Sequence, residues 1–587
     1  MYGIIGNGET CAFISIFNSI DWLCIPKFDS PTFFAKALDS ENGGSLFLSY
    51  EIGGHSVPFE AGKHRYLEDT NILETTSHVG YDIIRTIDFM PVGKHRLWRM
   101  MGISGPDPFR LTINMDPKPN YNRAQPDITV LENGVMIASQ GQALSIVSTE
   151  KANIKRKKIT FNVQPPTTIP LLITYGPTVS EVLKEMSKAV NFTKDYQNDL
   201  KHWRQFCSEA TPAFELSPSL NYYYLRSLLV LKLLMYEDTG AILAAPTTSF
   251  PEIVGKEYNW DYRFCWVRDG AYSAEAFALA GLYKESKKIL EFILHITNWE
   301  GKPYPYPLVS IYGDLKGTEE RIIDSLVGFG NTRPVRIGNK AVEQKQTDME
   351  GEVIHALYTF YKYSRDRDYL EKHFDTVKHI ADYVAGHWQE KDAGIWEFRT
   401  DYMNYVHSKA MCWAALHYSA KLADILEKPG LSERWNDEAK NVKEDVIANG
   451  YSDRRRCFMR SYEDDSFDAS VLGIPLVGMI PVGDPMIRST MKTLNDRLGT
   501  GGLLKRFEEE TGAFMLSSLW YAQVLIKYGR PVTALDIINR SANYASSELG
   551  LFAEEYDAYY RRLVGNIPQS FSHEEFVKSV LHLLGKE

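Results

Sequence analysis

The apolar positions change period once along the chain. Up to about residue 180 they alternate with polar ones in short runs bounded by Gly, Pro, Asn and Asp, the pattern of strands with one buried face. Ser45 to Ile52, Tyr81 to Val92, Arg110 to Met115, Gly134 to Ser148, Lys158 to Val163 and Thr168 to Tyr175 each read as strand. Their close spacing predicts an antiparallel β-sandwich domain over 1–178. From about Thr178 the composition turns charged, and Val179 to Ala210 predicts one or two helices within a helical linker over 179–215, punctuated by Pro212 and Pro218. Beyond Leu220 the period becomes helical. Helices are expected near 219–237, 269–282, 283–298, 348–364, 366–388 and 405–424, then near 430–449, 466–474, 484–498, 514–528, 530–548 and 572–585, twelve in all. Twelve helices in antiparallel pairs bury both their stripes by closing into inner and outer rings, so an (α/α)6 barrel is expected over 216–587. No fixed-length repeat supports an open solenoid. The long loops at 299–347 and 389–404 precede expected inner helices and surround one end of such a barrel, a natural place for a deep pocket.

Composition narrows the function classes. At 587 residues the chain needs more than one core, and 44% apolar with 24% charged residues is the balance of a globular protein. A net charge of −10, with only short basic clusters at Lys155 to Lys158 and Arg454 to Arg456, excludes a polyanionic partner such as nucleic acid. The six cysteines are scattered without a C-x-x-C pair and read as reduced thiols. The first residues show no basic n-region or long apolar h-region, and no apolar stretch reaches the ~20 residues of a spanning helix, so a cytoplasmic protein without membrane association is expected. The 34 Tyr, 28 Phe and 11 Trp supply flat surfaces that stack on sugar rings and equally fill large cores.

Three segments place charged and aromatic residues together at loop–helix junctions. Asn259 to Asp269 carries Tyr262, Trp266, Arg268 and Asp269; an Arg–Asp neighbour pair donates to one sugar hydroxyl and accepts from the next, while Asp269 alone also reads as a helix cap. Asp392 to Arg399 carries Trp396 and Glu397. A carboxylic acid beside an indole has its charged form disfavoured, which suits it to protonate a glycosidic oxygen, although a loop glutamate is ordinarily a surface group. Gly550 to Asp557 carries Glu554 and Glu555, and is followed by Gly565 to His573, where His573 reads as a structural residue at a helix start. No H-E-x-x-H or compact ligand cluster is evident, so neither metal nor organic cofactor is expected.

These segments resemble the family 15 glycoside hydrolases, which include glucoamylases, glucodextranases and microbial trehalases. The resemblance extends to Tyr2 to Gly8, Ser19 to Pro31, Gln346 to Glu352 and Ser408 to Trp413, in order along nearly the whole chain. It implies a β-supersandwich followed by an (α/α)6 barrel, and inversion by a general acid at Glu397 and a water-activating base at Glu554. It further implies that Arg268 and Asp269 hold the hydroxyls of a terminal glucose, that Trp266 lines its subsite, that Tyr262 positions the water and that Arg506 contacts the sugar; Trp396 is likewise expected to bind substrate. Inverting carboxyl pairs lie ~6.5–9.5 Å apart. The expected activity is exo-α-glucosidase releasing β-glucose from 1,4-α-glucan or maltooligosaccharide, with α,α-trehalase using the same acid–base pair as the alternative. The expected partners are therefore a sugar substrate and, at most, further copies of the chain in a homo-oligomer. Two positions depart from the family pattern: Lys27 stands where Arg is usual and Glu350 where Tyr is common.

Overall fold

In the computed structural model, residues 2–52, 54–188, 190–297, 301–544 and 546–586 are described. Residues 189, 298–300 and 545, which fall within the expected linker, the helices at 283–298 and 530–548 and the long loop at 299–347, lie outside them. The chain divides into two compact units. One comprises Met1–Ser208 with Thr248–Arg263 and Arg321–Ile337; the other comprises Glu209–Thr247, Phe264–Glu320 and Gly338–Glu587.

The first unit is a sandwich of two antiparallel sheets. One runs, in spatial order, Tyr2–Gly6, Cys11–Ser15, Ile20–Cys24, Ser45–Ile52, Phe109–Asp116, Lys158–Val163 and Asn153–Lys155, with Thr32–Phe34 and His55–Pro58 paired alongside. The other runs Asp127–Leu131, Gly134–Ser139, Gln142–Val147, Thr167–Gly176, Arg96–Ser104, Asp82–Phe89, Leu73–Val79 and Lys63–Tyr66. The expected run at 134–148 is a hairpin, because Gly141, with φ at +68°, takes the left-handed turn conformation between its arms. The opening strands escape the period-two pattern because they are buried on both faces: all five residues of Cys11–Ser15 and of Ile20–Cys24 are buried. The sheets are tied through polar groups as well as apolar contact. Tyr66 Oη accepts from the Ile4 amide and donates to the Ile4 carbonyl, each at 2.8 Å. At the sandwich centre the fully buried Arg99 donates to both oxygens of Asp88, at 2.7 and 3.1 Å, and to the Asn18 carbonyl at 2.9 Å.

The helices Val179–Met186 and Phe192–Glu209, read from the sequence as a linker, pack on the second sheet. Val182 joins Met136 and Ala143, while Phe192, Tyr196 and Leu200 lie against Ile72, Phe89 and Trp98. Trp98 Nε1 donates to Asp195 at 2.9 Å, fixing the longer helix to its strand. Two excursions from the expected barrel span also belong to this unit. The hairpin Arg321–Ile323 with Val335–Ile337 presents Arg336 to Asn259 and over the Trp260 ring, and Arg263 pairs with Asp261 and donates to the Ser30 carbonyl at 3.0 Å.

The second unit is an (α/α)6 barrel. Val267–Leu279, Met349–Ser364, Val406–Ile425, the short Gly473–Leu476, Met515–Lys527 and Ser570–Leu583 neighbour one another in a closed inner ring. Pro218–Leu234, Tyr283–His295, Arg367–His387, Pro429–Gly450, Pro485–Leu498 and Pro531–Tyr544 form the outer one. Inner helices are buried all round, as all thirteen residues of Val267–Leu279 are, whereas outer ones bury a stripe such as Ile289, Leu290 and Ile293. Starts follow capping chemistry: Ser217 accepts from the Leu220 amide with Pro218 in the first turn, and Asp366 accepts from that of Tyr369. The expected helix at 466–474 is reduced to Ala469–Leu472 and Gly473–Leu476; a Cβ on Gly473 would meet His407 at 2.9 Å, so the backbone itself fills that space. All six cysteines are free and buried, and among the described residues no helix is long and apolar enough to cross a membrane.

The Asp88–Arg99 pair has no access to water, so removing one partner strands a buried charge. Asp88→Ala is expected to lower stability by about 3–5 kcal/mol in urea denaturation. Arg110→Ala, which breaks an exposed pair with Glu51, is expected to change it by less than about 1 kcal/mol.

Candidate active site

At the N-terminal end of the first inner helix, the short strand Cys265–Trp266 runs into Val267–Leu279 and delivers two side chains, Trp266 and Arg268, to one place. Trp266 Nε1 donates to Glu397 Oε1 at 2.7 Å, Arg268 Nη2 reaches the same oxygen at 3.3 Å and Gln346 Nε2 does so at 3.1 Å. One carboxylate oxygen thus takes three donors, which fixes the group and leaves Oε2 outside that set. Arg268 is itself anchored from behind, its Nη1 donating to Gln346 Oε1 and Asp348 Oδ2, each at 3.0 Å. Burial works against the guanidinium's charge, but the Asp348 and Glu397 carboxylates outweigh it and hold Arg268 firmly protonated. The side chain of Glu397 is 22% exposed and that of Arg268 only 9%, so the acid meets solvent while the cation beneath does not.

Glu397 sits at the end of a constrained turn. Its φ is +58°, a left-handed conformation uncommon for a residue with a side chain and worth about 1–3 kcal/mol of strain. Its amide donates to the Gly394 carbonyl at 3.1 Å, and Gln344 Nε2 donates to its own carbonyl at 3.0 Å. Gly394, at φ +70°, lies against Tyr405, where a Cβ would come 2.8 Å from the ring. Asp392, wholly buried, receives the Thr347 amide at 3.0 Å and Ser408 Oγ at 2.8 Å, binding the loop that carries Glu397 to the one that carries Gln346. The adjacent Trp396 turns away from Glu397: its Nε1 donates to Asp468 at 2.8 Å and its ring meets Phe514 edge-on at 5.3 Å.

Phe514 connects this side to Glu554. It pairs in register with Glu555, and the next amide, of Met515, donates to the Glu554 carbonyl at 3.2 Å. Residues 397 and 554 therefore each lie one position from a partner of Phe514, Trp396 at its ring and Glu555 along its backbone. Glu554 is buried, and Gly565 passes so close that a Cβ there would come within 2.8 Å of its carboxylate. His573 has a supporting part. Its Nε2 accepts the Phe552 amide at 3.1 Å and its Nδ1 faces Ser227 Oγ at 2.9 Å, the neutral tautomer that burial also favours by pushing its pKa down.

The expected site residues are distributed as follows. Trp266, Arg268 and Glu397 are in direct contact. Asp269 is one position on, in the first turn rather than at the cap; Ser570 Oγ approaches it at 3.4 Å, and burial pushes its carboxyl up. Arg506 lies over the Phe514 ring at 4.7 Å and is paired with Glu510 and Glu555. Tyr262 belongs to the first unit. Gln346, Asp348 and Asp392 were not singled out individually from sequence, although the i, i+2 spacing of Gln346 and Asp348 is what puts both on Arg268.

Glu350, one of the two departures, makes no hydrogen bond to this cluster. It is buried with neither carboxylate oxygen hydrogen-bonded, and burial pushes its pKa up to about 7, only partly countered by Lys302. A carboxyl raised this way contributes its stability in full below its unfolded value near 4.5 and loses it as pH rises through about 7. Glu350→Gln is thus expected to be close to neutral at pH 4.5 and to raise stability at pH 8 by on the order of 3 kcal/mol. Melting curves of both proteins across that range check it; a constant difference would contradict the assignment.

The model of glycosyl hydrolases family 15 matches residues 218–581, and that of the trehalase-like N-terminal domain matches residues 2–157. The chain is 33% identical to trehalase 1 of Sulfolobus acidocaldarius over 99% of its length and 98% of that protein. It is also 33% identical to a trehalase of Thermoplasma acidophilum, covering 94% of the chain and 95% of the relative. Among solved structures, a bacterial glucoamylase complexed with acarbose superposes with a TM-score of 0.77 at 14% identity, covering 100% of this chain and 94% of that one, which shows a shared fold. With a family model spanning well over half its length and full-length relatives at this identity, the chain belongs to glycosyl hydrolase family 15.

Proposed function

We propose that this protein is an inverting α,α-trehalase, hydrolysing the bond between two α-linked glucose units. The observation that carries the reading is likeness over essentially the full length, N-terminal domain included, to proteins named trehalase in separate archaeal genera. This moves the alternative expected from sequence ahead of the glucoamylase reading, whose support is a fold shared at 14% identity.

In this reading Glu397 is the general acid. With Oε1 held by Trp266, Arg268 and Gln346, the proton travels on Oε2 to the bridging oxygen as the bond to the anomeric carbon breaks. Glu554 takes a proton from water, which attacks that carbon from the opposite face. One bond breaks and one forms, giving β-glucose from the attacked ring and α-glucose from the leaving one. Arg268 and Asp269 hold hydroxyls of the attacked glucose, with Trp266 lining its subsite. Arg506 keeps the sugar-contacting part that the sequence resemblance gives it, and neither metal nor organic cofactor takes part in the step.

Proton NMR of fresh digests tests both bond and stereochemistry. Trehalose should yield equal initial amounts of the two anomers, and maltose or soluble starch should react at least about tenfold more slowly. Starch cleavage with trehalose untouched would restore the glucoamylase reading. Glu397→Gln and Glu554→Gln should each lower kcat by about 10³-fold with little change in folding.

The contact of Gly565 with Glu554 gives a further test. Gly565→Ala introduces a Cβ 2.8 Å from that carboxylate, at a backbone φ of +82°. Displacing a base by 1 Å costs about 10²-fold, so kcat should fall by about that factor while KM changes little. An unchanged kcat would mean that Glu554 does not need this position.

A further inference from the structure

Beneath Arg268, inside the barrel, three side chains from two inner-helix starts converge. Asp348 precedes Met349–Ser364, Glu352 lies in its first turn and His407 begins Val406–Ile425. One ligand atom from each lies within 4.8 Å of the others, and all three residues are buried. The feature that sets this apart from an ordinary polar core is His407. It is 1% exposed, yet neither ring nitrogen has a hydrogen-bond partner, and its nearest acid, Glu352 Oε1, is 3.7 Å from Nε2. A buried imidazole carries both a donor and an acceptor, and two orphaned nitrogens are rare in native interiors. Asp348, wholly buried, has the same character on one side: Oδ2 is taken by Arg268, and Oδ1 has no partner. Glu352 is oriented by Tyr272, whose hydroxyl donates to Oε1 at 2.6 Å. The imidazole is fixed by stacking on Trp520, at 5.7 Å and 15°, and by the close backbone of Gly473.

We propose that Asp348, Glu352 and His407 bind a single divalent transition cation, Zn2+ or Mn2+. The donor set of one imidazole and two carboxylates suits those ions rather than a soft metal that needs thiolates. Ligand distances near 2.1 Å place ligand atoms at most about 4.2 Å apart, so a spread within 4.8 Å closes onto an ion with sub-ångström shifts. Glu352 and His407 also line a cavity of about 200 Å3 in the barrel interior, with Tyr272, Met411, Gly473 and Trp520, which gives room for water to complete the coordination shell. The ion would take no part in bond cleavage. Its effect is to brace Asp348, and through Asp348 the guanidinium that holds Glu397, so these three are positioning residues.

The test reads metal directly and does not depend on which sugar is cleaved. Full-length protein stripped with a chelator is titrated with ZnCl2, MnCl2 or MgCl2 in a calorimeter. Binding of about one equivalent of Zn2+ or Mn2+, tighter than Mg2+, with a rise of a few degrees in melting temperature, is the expected result. His407→Gln and Glu352→Gln, checked for folding by circular dichroism, should each weaken that binding at least tenfold. Failure of stripped wild type to take up an equivalent of either ion overturns the site, as does uptake undiminished in both variants, which would assign the ion to surface groups.

Discussion

The buried guanidinium of Arg268 is the group around which the helical unit's polar end is organised. It reaches Glu397 on one side and Gln346 and Asp348 on the other, so loops about fifty residues apart in sequence share one cation. Charge-assisted bonds of this kind are strong because water is excluded, and for the same reason each partner is costly to remove. A lysine would offer a point charge where the site uses a planar fork, with Nη1 and Nη2 committed to different loops. The left-handed turn at Glu397 is sustained by this network, since three donors on one carboxylate oxygen and the Gln344 side-chain amide donating to the carbonyls of Glu397 and Phe398 offset the strain.

The same logic continues down the barrel axis. Lys578 lies between Glu275 and Glu575, Gln523 donates to Glu575 at 2.6 Å, and Ser273 donates to Glu574. An interior lined only by apolar residues would tolerate sliding of one inner helix past another; charged and hydrogen-bonded pairs fix their registers. Burial outweighs the nearby lysine and disfavours charge on Asp392, whose pKa rises to about 6, and on Glu574. Glu275, sharing Lys578 and His355, is driven far down instead. The barrel end that carries the proposed acid and base is thus continuous with a polar interior, and the proposed cation site lies where the two meet.

Much of the architecture was legible in the sequence because period reports burial. Alternation located the half-buried strands, and the 3.6-residue period located eleven of the twelve barrel helices. What it missed are elements whose environment is uniform or crowded: strands such as Ile20–Cys24, buried on both faces, and the fourth inner helix, shortened where Gly473 meets His407. The helices at 179–209 were visible as helices, but their charge suggested a bridge. Their stripe of Val182, Phe192 and Tyr196 has a sheet to cover, which only the sheet's position reveals.

At the candidate site, the sequence by itself determined the family and the motif residues Trp266, Arg268, Asp269, Glu397 and Glu554, because those motifs are long and ordered. It did not determine what those residues touch. Trp396 stands beside Glu397 in the chain, yet its indole serves Asp468 and Phe514, since the turn at φ +58° rotates neighbouring side chains apart. Gln346 and Asp348 look like ordinary loop polar residues until Arg268 lies between them and Glu397. Hydrogen bonds between residues 129 and 131 positions apart have no local period and leave no trace in one sequence. Closure of the inner ring creates them.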